Sequence, residues 1–148
     1  MKEGDFRISF INVLNKGPGS KAIRHYKIET GTTELGFPDS YFMAPRGRMC
    51  FLEFKVFRDK MFVKYRPHQH KFIKLCEARD IDAYFLIAYS LEEFGFFTAE
   101  NALTRYDSLD HARKLSEEWL DRNRYNDSAI AALCYRIMFG RSEKRLTS

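Results

Sequence analysis

Two charged side chains stand in the middle of an apolar stretch of the sequence. Residues 49–57 read MCFLEFKVF, and Glu53 and Lys55 are the charged residues within it. Residues two apart on a strand share one face, so this pair is expected on the same side of a sheet. Burying a charge costs free energy unless the charge is paired or used. The pattern therefore predicts a strand whose two charges serve a chemical purpose.

A second carboxylate is expected beside this pair. Residues 39–44 (DSYFMA) predict another strand, and the PRGR segment at 45–48 predicts a hairpin turn. If the turn centres near residues 46 and 47, position 39 lies opposite position 53, 54 or 55. Asp39 is thus expected at or beside Glu53 and Lys55.

Two predicted helices add polar side chains to the same place. Pro67 favours the start of a helix that runs to about Asp80. In that helix Gln69 shares a face with apolar residues three, four and seven positions later, so it is expected to point toward the sheet. Residues 2–16 predict an amphipathic helix, and Glu3 stands at the head of its apolar stripe.

These residue types suit the hydrolysis of a phosphodiester. Two carboxylates can hold a hard divalent cation such as Mg²⁺, which prefers oxygen ligands and keeps several waters. Such a cation polarises a phosphoryl oxygen and lowers the pKa of a bound water. A nearby lysine can orient or deprotonate that water, or stabilise the charge of the transition state.

The order of these residues resembles a known nuclease superfamily. Gly36-Phe37-Pro38-Asp39, then Glu53-Phe54-Lys55, then Gln69 on a following helix resembles the PD-(D/E)XK nucleases. Within them, the sequence is most similar to the VRR-NUC family of virus-type replication and repair nucleases, which is similar to the archaeal Holliday junction resolvases. The resemblance covers roughly residues 3–90 and leaves residues 100–148 outside.

The resemblance implies a role for each site residue. The metal, Mg²⁺ or Mn²⁺, would be bound by Asp39, Glu53 and the backbone carbonyl of Phe54. Lys55 would assist the attacking water, and Gln69 would touch the substrate or the site. An acid on the first helix would complete the metal site, and Glu3 best matches that position.

The resemblance also implies the fold and the activity. The expected fold is α/β, with a restriction-endonuclease-like core of mixed β-sheet flanked by helices. We expect a single nuclease domain with its core at about 3–98, a C-terminal helical extension at about 107–140 and a basic tail at 141–148. The implied activity is a DNA endonuclease, selective for branched DNA or Holliday junctions, in replication, repair or recombination.

Charge and composition are compatible with a nucleic-acid partner. The 148 residues include 25 Lys and Arg against 20 Asp and Glu, which gives a net charge of +5. A basic run near the predicted site is a candidate DNA-facing rim, composed of Lys60, Lys64, Arg66, His68 and Lys71. The same run would also suit a solvated loop and helix start.

The cysteine pattern and the hydropathy suggest where the protein works. Cys50, Cys76 and Cys134 are far apart and form no CxxC motif, so we expect reduced core thiols in an intracellular protein. The four histidines form no zinc pattern with them. We find no apolar signal core and no run long enough to span a bilayer, and we therefore expect no membrane association. The expected location is the cytoplasm, or the host cytoplasm if the protein is viral.

The second half of the chain is expected to build the rest of the sheet and a helical pair. Residues 83–89 (AYFLIAY) predict a buried strand that follows a right-handed crossover, and residues 96–98 a short edge strand. Asp107 is predicted to cap a helix containing Leu115 and Trp119. Asp127 is predicted to cap another, whose apolar stripe comprises Ile130, Leu133, Cys134, Ile137 and Met138.

A homodimer is expected from symmetry, because one site cuts one strand and a junction needs two nicks. Two candidate surfaces for it are the apolar stripe of the last helix and the aromatic residues Phe94, Phe96 and Phe97. A monomer in which the C-terminal helices cover the sheet is the alternative.

Each site residue also has a purely structural interpretation. Glu53 and Lys55 could form an ion pair on an edge strand, and Asp39 could be a turn residue after proline. Gln69 could be an ordinary amide near a helix start, and Glu3 a favourable acid at a helix N-terminus. The corresponding alternative function is a non-catalytic nucleic-acid-binding or scaffolding protein that retains the nuclease fold.

Overall fold

The architecture is a six-stranded mixed sheet with helices on both faces, seen in a computed structural model that describes residues 1–28 and 37–141. The helices are α1 (Glu3–Leu14), α2 (Gln69–Ala78), α3 (Leu109–Leu115) and α4 (Asp127–Met138). The strands are β1 (Arg24–Lys27), β2 (Ser40–Ala44), β3 (Arg48–Val56), β4 (Asp82–Ala88), β5 (Glu93–Phe97) and β6 (Glu118–Asp121). They lie in the sheet in chain order, so the mixed α/β prediction is confirmed.

One parallel pair lies at the centre of the sheet. β3 and β4 run parallel and are joined through α2, whereas every other neighbouring pair is antiparallel. All seven residues of β4 are buried, which explains the unbroken apolar run from Ala83 to Ala88, since both faces of this strand are covered. The predicted strand–helix–strand unit is therefore present, with the parallel pairing that a crossover requires.

Each face of the sheet has its own apolar core. On one face, Phe6 and Phe10 of α1 form ring contacts with Phe54 of β3 and Phe94 of β5. α4 joins the same core through a buried stripe of Ile130, Cys134 and Met138. On the other face, α2 and α3 pack with the opposite side of β4 and β5, through residues that include Ile73, Ala112, Phe85 and Phe97. The two faces thus use alternate residues of the same strands.

The predictions for the N-terminal half agree with the structure apart from a few residues at the ends of elements. The expected helix at 2–16 is α1, the strand at 39–44 is β2, and the strand at 49–57 is β3. The strand expected at 23–30 is β1, although residues 29 and 30 fall outside the described residues, as do the loop residues 31–36 with Gly36 and the tail residues 142–148. The three cysteines are free and buried, as expected for core thiols.

The predictions for the C-terminal half were wrong in three respects. Residues 96–98 are not an edge strand, because β5 lies between β4 and β6. Trp119 is not in a helix, because α3 ends at Leu115 and Trp119 pairs with Gly95 across β5 and β6. The expected C-terminal helical extension is therefore interrupted by the last strand of the sheet, and α3 and α4 lie on opposite faces of it rather than as a pair.

The helix caps also differ by one residue from the prediction. The hydroxyl of Ser108 accepts from the backbone N–H of His111 at the start of α3, and Asn126 accepts from Ala129 at the start of α4. Asp107 is outside α3, and Asp127 is the first residue of α4 rather than its cap. Ser108 follows Asp107 by one position, and Asn126 precedes Asp127 by one position. All four residue types are common helix caps, so local sequence alone does not choose between neighbours.

Both candidate dimer surfaces are occupied within the chain. Phe94, Phe96 and Phe97 are buried in the two cores because β6 and the helices cover β5. In the α4 stripe, Ile130, Cys134 and Met138 are buried as well, and Leu133 and Ile137 are half-buried against the same core. The prediction that these residues form a dimer surface was therefore wrong.

No helix within the described part of the chain combines the length and apolar character needed to cross a bilayer.

Replacing Gly95 with alanine should destabilise the protein. A Cβ at Gly95 would lie 2.6 Å from a ring carbon of Trp119, closer than packed atoms tolerate. Overpacking of this kind typically costs about 1–3 kcal/mol. Chemical denaturation should show this loss for Gly95→Ala.

Gly4→Ala is the matched control. Gly4 lies in α1, and the nearest atom to a Cβ there is 4.0 Å away. Because alanine favours a helix over glycine, this variant should be equal to or more stable than the parent. Equal stability of both variants would contradict the close packing of Trp119 on β5.

Candidate functional site

The hairpin register places Asp39 directly beside Glu53. Ser40 pairs with Leu52, so the next position before β2 lies opposite Glu53. The backbone N–H of Asp39 donates to Oε2 of Glu53 at 3.0 Å, and the backbone N–H of Phe54 donates to Oδ2 of Asp39 at 3.1 Å. The predicted juxtaposition of the two carboxylates is confirmed, and each carboxylate is fixed by a backbone N–H beside the other.

Glu53 and Lys55 lie on a central strand. β3 has neighbours on both sides, and only 2% of Glu53 and 4% of Lys55 are accessible to solvent. An ion pair that protects a sheet edge is therefore the wrong interpretation of these residues. Their burial instead means that their partners within the protein determine their charge and position.

The helix α2 supplies an amide to the same carboxylate. Gln69 is 1% exposed, and its Nε2 donates to Oε1 of Glu53 at 2.7 Å. Its Oε1 accepts from the backbone N–H of Arg66 at 2.9 Å. Gln69 is the first residue of α2, so the start of the helix decides where this amide lies. The expectation that Gln69 points inward is confirmed.

The ammonium of Lys55 lies between two carboxylates. Its Nζ is 3.7 Å from Oε1 of Glu53 and 3.9 Å from Oε1 of Glu3. Glu3 is in the first turn of α1, where the packing of Phe6 and Phe10 brings the helix onto the sheet. The side chain of Glu3 is partly exposed, at 39%, so it faces the opening of the site.

These groups line one cleft of about 280 Å³. The cleft is bounded by four of the predicted site residues and by basic or aromatic side chains from the segment after β3. Its lining residues are Glu3, Asp39, Glu53, Lys55, Arg58, Lys64, Tyr65 and Arg66. Gln69 lies behind Glu53 as its hydrogen-bond partner.

Burial and charge together perturb the carboxyl groups. Burial, and then the nearby charge of Asp39, raise the pKa of Glu53 to about 8 from its ordinary value of 4.5. The charges of Lys55 and Arg66 oppose this rise. Burial also raises the pKa of Glu3. When all three carboxyl groups of the cleft are ionised, the four cations Lys55, Arg58, Lys64 and Arg66 outnumber them, so the raised pKa of Glu53 comes mainly from its burial.

A divalent cation would fit these donors. Among the described residues, no three His, Cys, Asp or Glu side chains are grouped so as to hold a metal. Mg²⁺, however, is commonly bound through only one or two carboxylates and retains waters. Asp39 and Glu53 supply that number of carboxylates, and a bound cation would favour the ionised form of Glu53, whose pKa is raised first by burial and then by the charge of Asp39.

The predicted basic rim is only partly at the cleft. Lys64 and Arg66 line it, and Nη2 of Arg66 lies 3.9 Å from Oε1 of Glu53. The exposed residues Lys60, His68 and Lys71 are not part of its lining. His70, the histidine next to Gln69 on α2, has its Nε2 2.7 Å from the backbone carbonyl oxygen of Ala102.

Sequence reasoning missed two residues of the cleft. Tyr65 lies with its ring centroid 5.7 Å from Nζ of Lys55, and Arg58 lines the cleft just after β3. Arg58 has a weak signal, since it follows directly on the strand that carries Glu53 and Lys55. Tyr65 lies in an irregular segment, where no periodicity indicates a direction.

No model of a known protein family matches this chain, and no curated protein has a similar sequence. The chemistry of the cleft is therefore the basis for any functional argument.

The stability of the metal-free protein should fall as pH rises from about 5 to about 8. The unfolded chain releases the Glu53 proton near pH 4.5, whereas the folded chain retains it up to about pH 8. Between these values the folded state binds more protons, so the free energy of unfolding decreases with pH. Urea denaturation in a chelator, at several pH values, measures this slope.

Glu53→Gln removes the titrating group and should show a shallower slope over the same range. Only the slopes of the two proteins are compared, because glutamine replaces one of the two oxygens that accept hydrogen bonds and so also changes the absolute stability. Identical slopes in the two proteins would mean that Glu53 stays ionised in the folded protein.

Proposed function

We propose that the protein is a metal-dependent nuclease of the PD-(D/E)XK type that hydrolyses DNA phosphodiesters. One observation carries this proposal. The buried carboxylate of Glu53 receives hydrogen bonds from Asp39 and Gln69 and lies 3.7 Å from the ammonium of Lys55, at the wall of an open cleft. A buried acid, a second acid and a lysine at one cleft suit phosphodiester hydrolysis better than a structural ion pair.

In this proposal, the carboxylates of Asp39 and Glu53 and the backbone carbonyl of Phe54 hold Mg²⁺ or Mn²⁺. Glu3 lies across Lys55 from Glu53 and would complete the acidic side of the site. When bound, the cation would act as a Lewis acid on the phosphoryl oxygen and activate a water. Gln69 fixes the orientation of the Glu53 carboxylate.

The remaining groups of the cleft act on the substrate and the water. Lys55 is positioned to orient the attacking water or to stabilise the transition-state charge. Lys64 and Arg66 are positioned at the opening to bind phosphates of the substrate. Branched DNA is the substrate class implied by the resemblance. A homodimer rests on the symmetry of two nicks alone, since the residues considered for its surface are buried or pack against the core of the same chain.

One observation favours the alternative of a non-catalytic nucleic-acid-binding or scaffolding protein. Both carboxylate oxygens of Glu53 already accept hydrogen bonds from the chain, so the cluster is satisfied without a cation. Such a protein would bind nucleic acid in the presence of Mg²⁺ or Mn²⁺ without cutting it.

Asp39→Asn and Glu53→Gln should abolish cleavage. Each removes a charged oxygen ligand while nearly retaining the side-chain shape. A panel of duplex, flap, single-stranded and four-way-junction DNA in Mg²⁺ or Mn²⁺ measures the activity. Asp5→Asn is the control, because Asp5 is an exposed acid of the same helix as Glu3 and does not line the cleft. Absence of cutting by the parent protein, with DNA binding intact, would support the non-catalytic alternative.

Lys55→Met should retain metal binding and lose turnover. Methionine preserves much of the aliphatic stem in this buried position but lacks the ammonium. Loss of a group that acts on the water should lower the single-turnover rate about a hundredfold or more. Lys74→Met, at an exposed position on α2 outside the candidate rim, is the matched control. Turnover close to that of the parent would assign Lys55 a structural role only.

A further inference from the structure

A second, larger groove opens beside the candidate active site. It has a volume of about 1070 Å³ and shares Glu3 and Arg58 with the smaller cleft. Its walls also include Lys2, Arg105 and Tyr89. The volume is at the upper limit of about 300–1,000 Å³ that is usual for small-molecule sites, so the groove suits an extended chain.

The floor of the groove is built by segments that are distant in sequence. The backbone N–H of Arg58 donates to the carbonyl of Phe62 at 2.7 Å, and Arg58 and Phe62 form an antiparallel bridge. Phe62 in turn forms a bridge with Arg105. Bridged residues have Cα atoms about 4.5–5.5 Å apart, so the two arginines are held on either side of Phe62.

The groove carries cations without matching internal partners. Lys2, Arg58 and Arg105 are exposed, and no carboxylate of the described residues lies within ion-pair distance of any of them. Two acids, Glu3 and Asp59, are also part of the lining. The three cations outnumber these acids, and their fixed arrangement favours an anionic ligand that extends along the groove.

An aromatic ring is exposed in the same groove. Tyr89 is 47% exposed at the end of β4, and Phe62 lies half-buried between the two arginines. Proteins that bind single-stranded nucleic acid combine a basic groove for the backbone with aromatic rings on which bases stack. A duplex offers its bases only at their edges in the grooves, so an exposed ring favours an unpaired strand.

We propose that this groove binds an unpaired strand of nucleic acid that continues from the phosphodiester held in the cleft. Lys2, Arg58 and Arg105 contact its phosphates, and Tyr89 stacks on a base. The inference rests on the proposed nuclease function, and it assigns an unpaired segment next to the cut site as a feature of the substrate.

Fluorescence anisotropy tests the phosphate contacts. A labelled single-stranded oligonucleotide is titrated in Ca²⁺, to suppress cutting, at several salt concentrations. The double variant Arg58→Gln/Arg105→Gln should reduce the slope of log affinity against log salt by about 1.4, from two lost contacts at about 0.7 each. The control double variant Lys21→Gln/Arg136→Gln should leave the slope unchanged, since Lys21 lies beyond the far end of α1 and Arg136 is exposed on α4.

The stacking contact is tested with Tyr89→Ala and Tyr89→Phe. The alanine variant should lose about fivefold or more in affinity for the single strand, whereas phenylalanine, which retains the ring, should bind like the parent. Affinity for a blunt-ended duplex of two separate strands, which has no unpaired nucleotides, should be the same in all three proteins.

Three results would overturn the inference. The first is that the control double variant loses as much of the salt slope as Arg58→Gln/Arg105→Gln. The second is that Tyr89→Ala weakens the affinity for single strand and duplex equally. The third is that no groove variant changes binding of the single strand. If cleavage still depends on Asp39 and Glu53 in these cases, the nuclease proposal stands and only the groove assignment fails. If the parent protein neither binds nor cuts nucleic acid, both proposals fail.

Discussion

The burial of one carboxylate, that of Glu53, constrains the arrangement of this protein. A central strand cannot hold a charged group at low cost unless other parts of the chain provide partners. Here the hairpin contributes the N–H of Asp39, α2 contributes the amide of Gln69, and β3 itself contributes Lys55. The hairpin register and the position where α2 starts are therefore tied to a single charge.

The same constraint explains why the site is suited to chemistry. Glu53 is almost fully buried at the inner wall of the cleft, and Glu3, Lys64 and Arg66 line the cleft with it. Burial and the charge of Asp39 raise the pKa of Glu53, and a bound cation would reverse that effect. The neighbouring groove adds Lys2, Arg58 and Arg105, which pair with no carboxylate of the described residues, and this charge is the basis of the proposal that an anionic polymer extends from one region into the other.

Part of this arrangement could be predicted from the sequence because it depends on short-range geometry. A short turn fixes the register of a hairpin, so Asp39 had to lie near Glu53, and helical spacing determined the direction of Gln69. The position of Trp119 could not be predicted in this way. Its local sequence is compatible with a helix, and the strand β6 forms because Gly95, distant in sequence, leaves space for the indole ring. The burial of Phe94 likewise depends on distant segments, because β6 and α1 cover β5.

Binding of Mn²⁺, followed by the electron paramagnetic resonance signal of the free ion, tests the central claim most directly. The account predicts saturable binding to the parent protein at neutral to mildly alkaline pH, with clear weakening in both Asp39→Asn and Glu53→Gln and no change in Asp5→Asn. Absence of Mn²⁺ binding to the parent, or equal affinity in all four proteins, would contradict a metal site formed by Asp39 and Glu53.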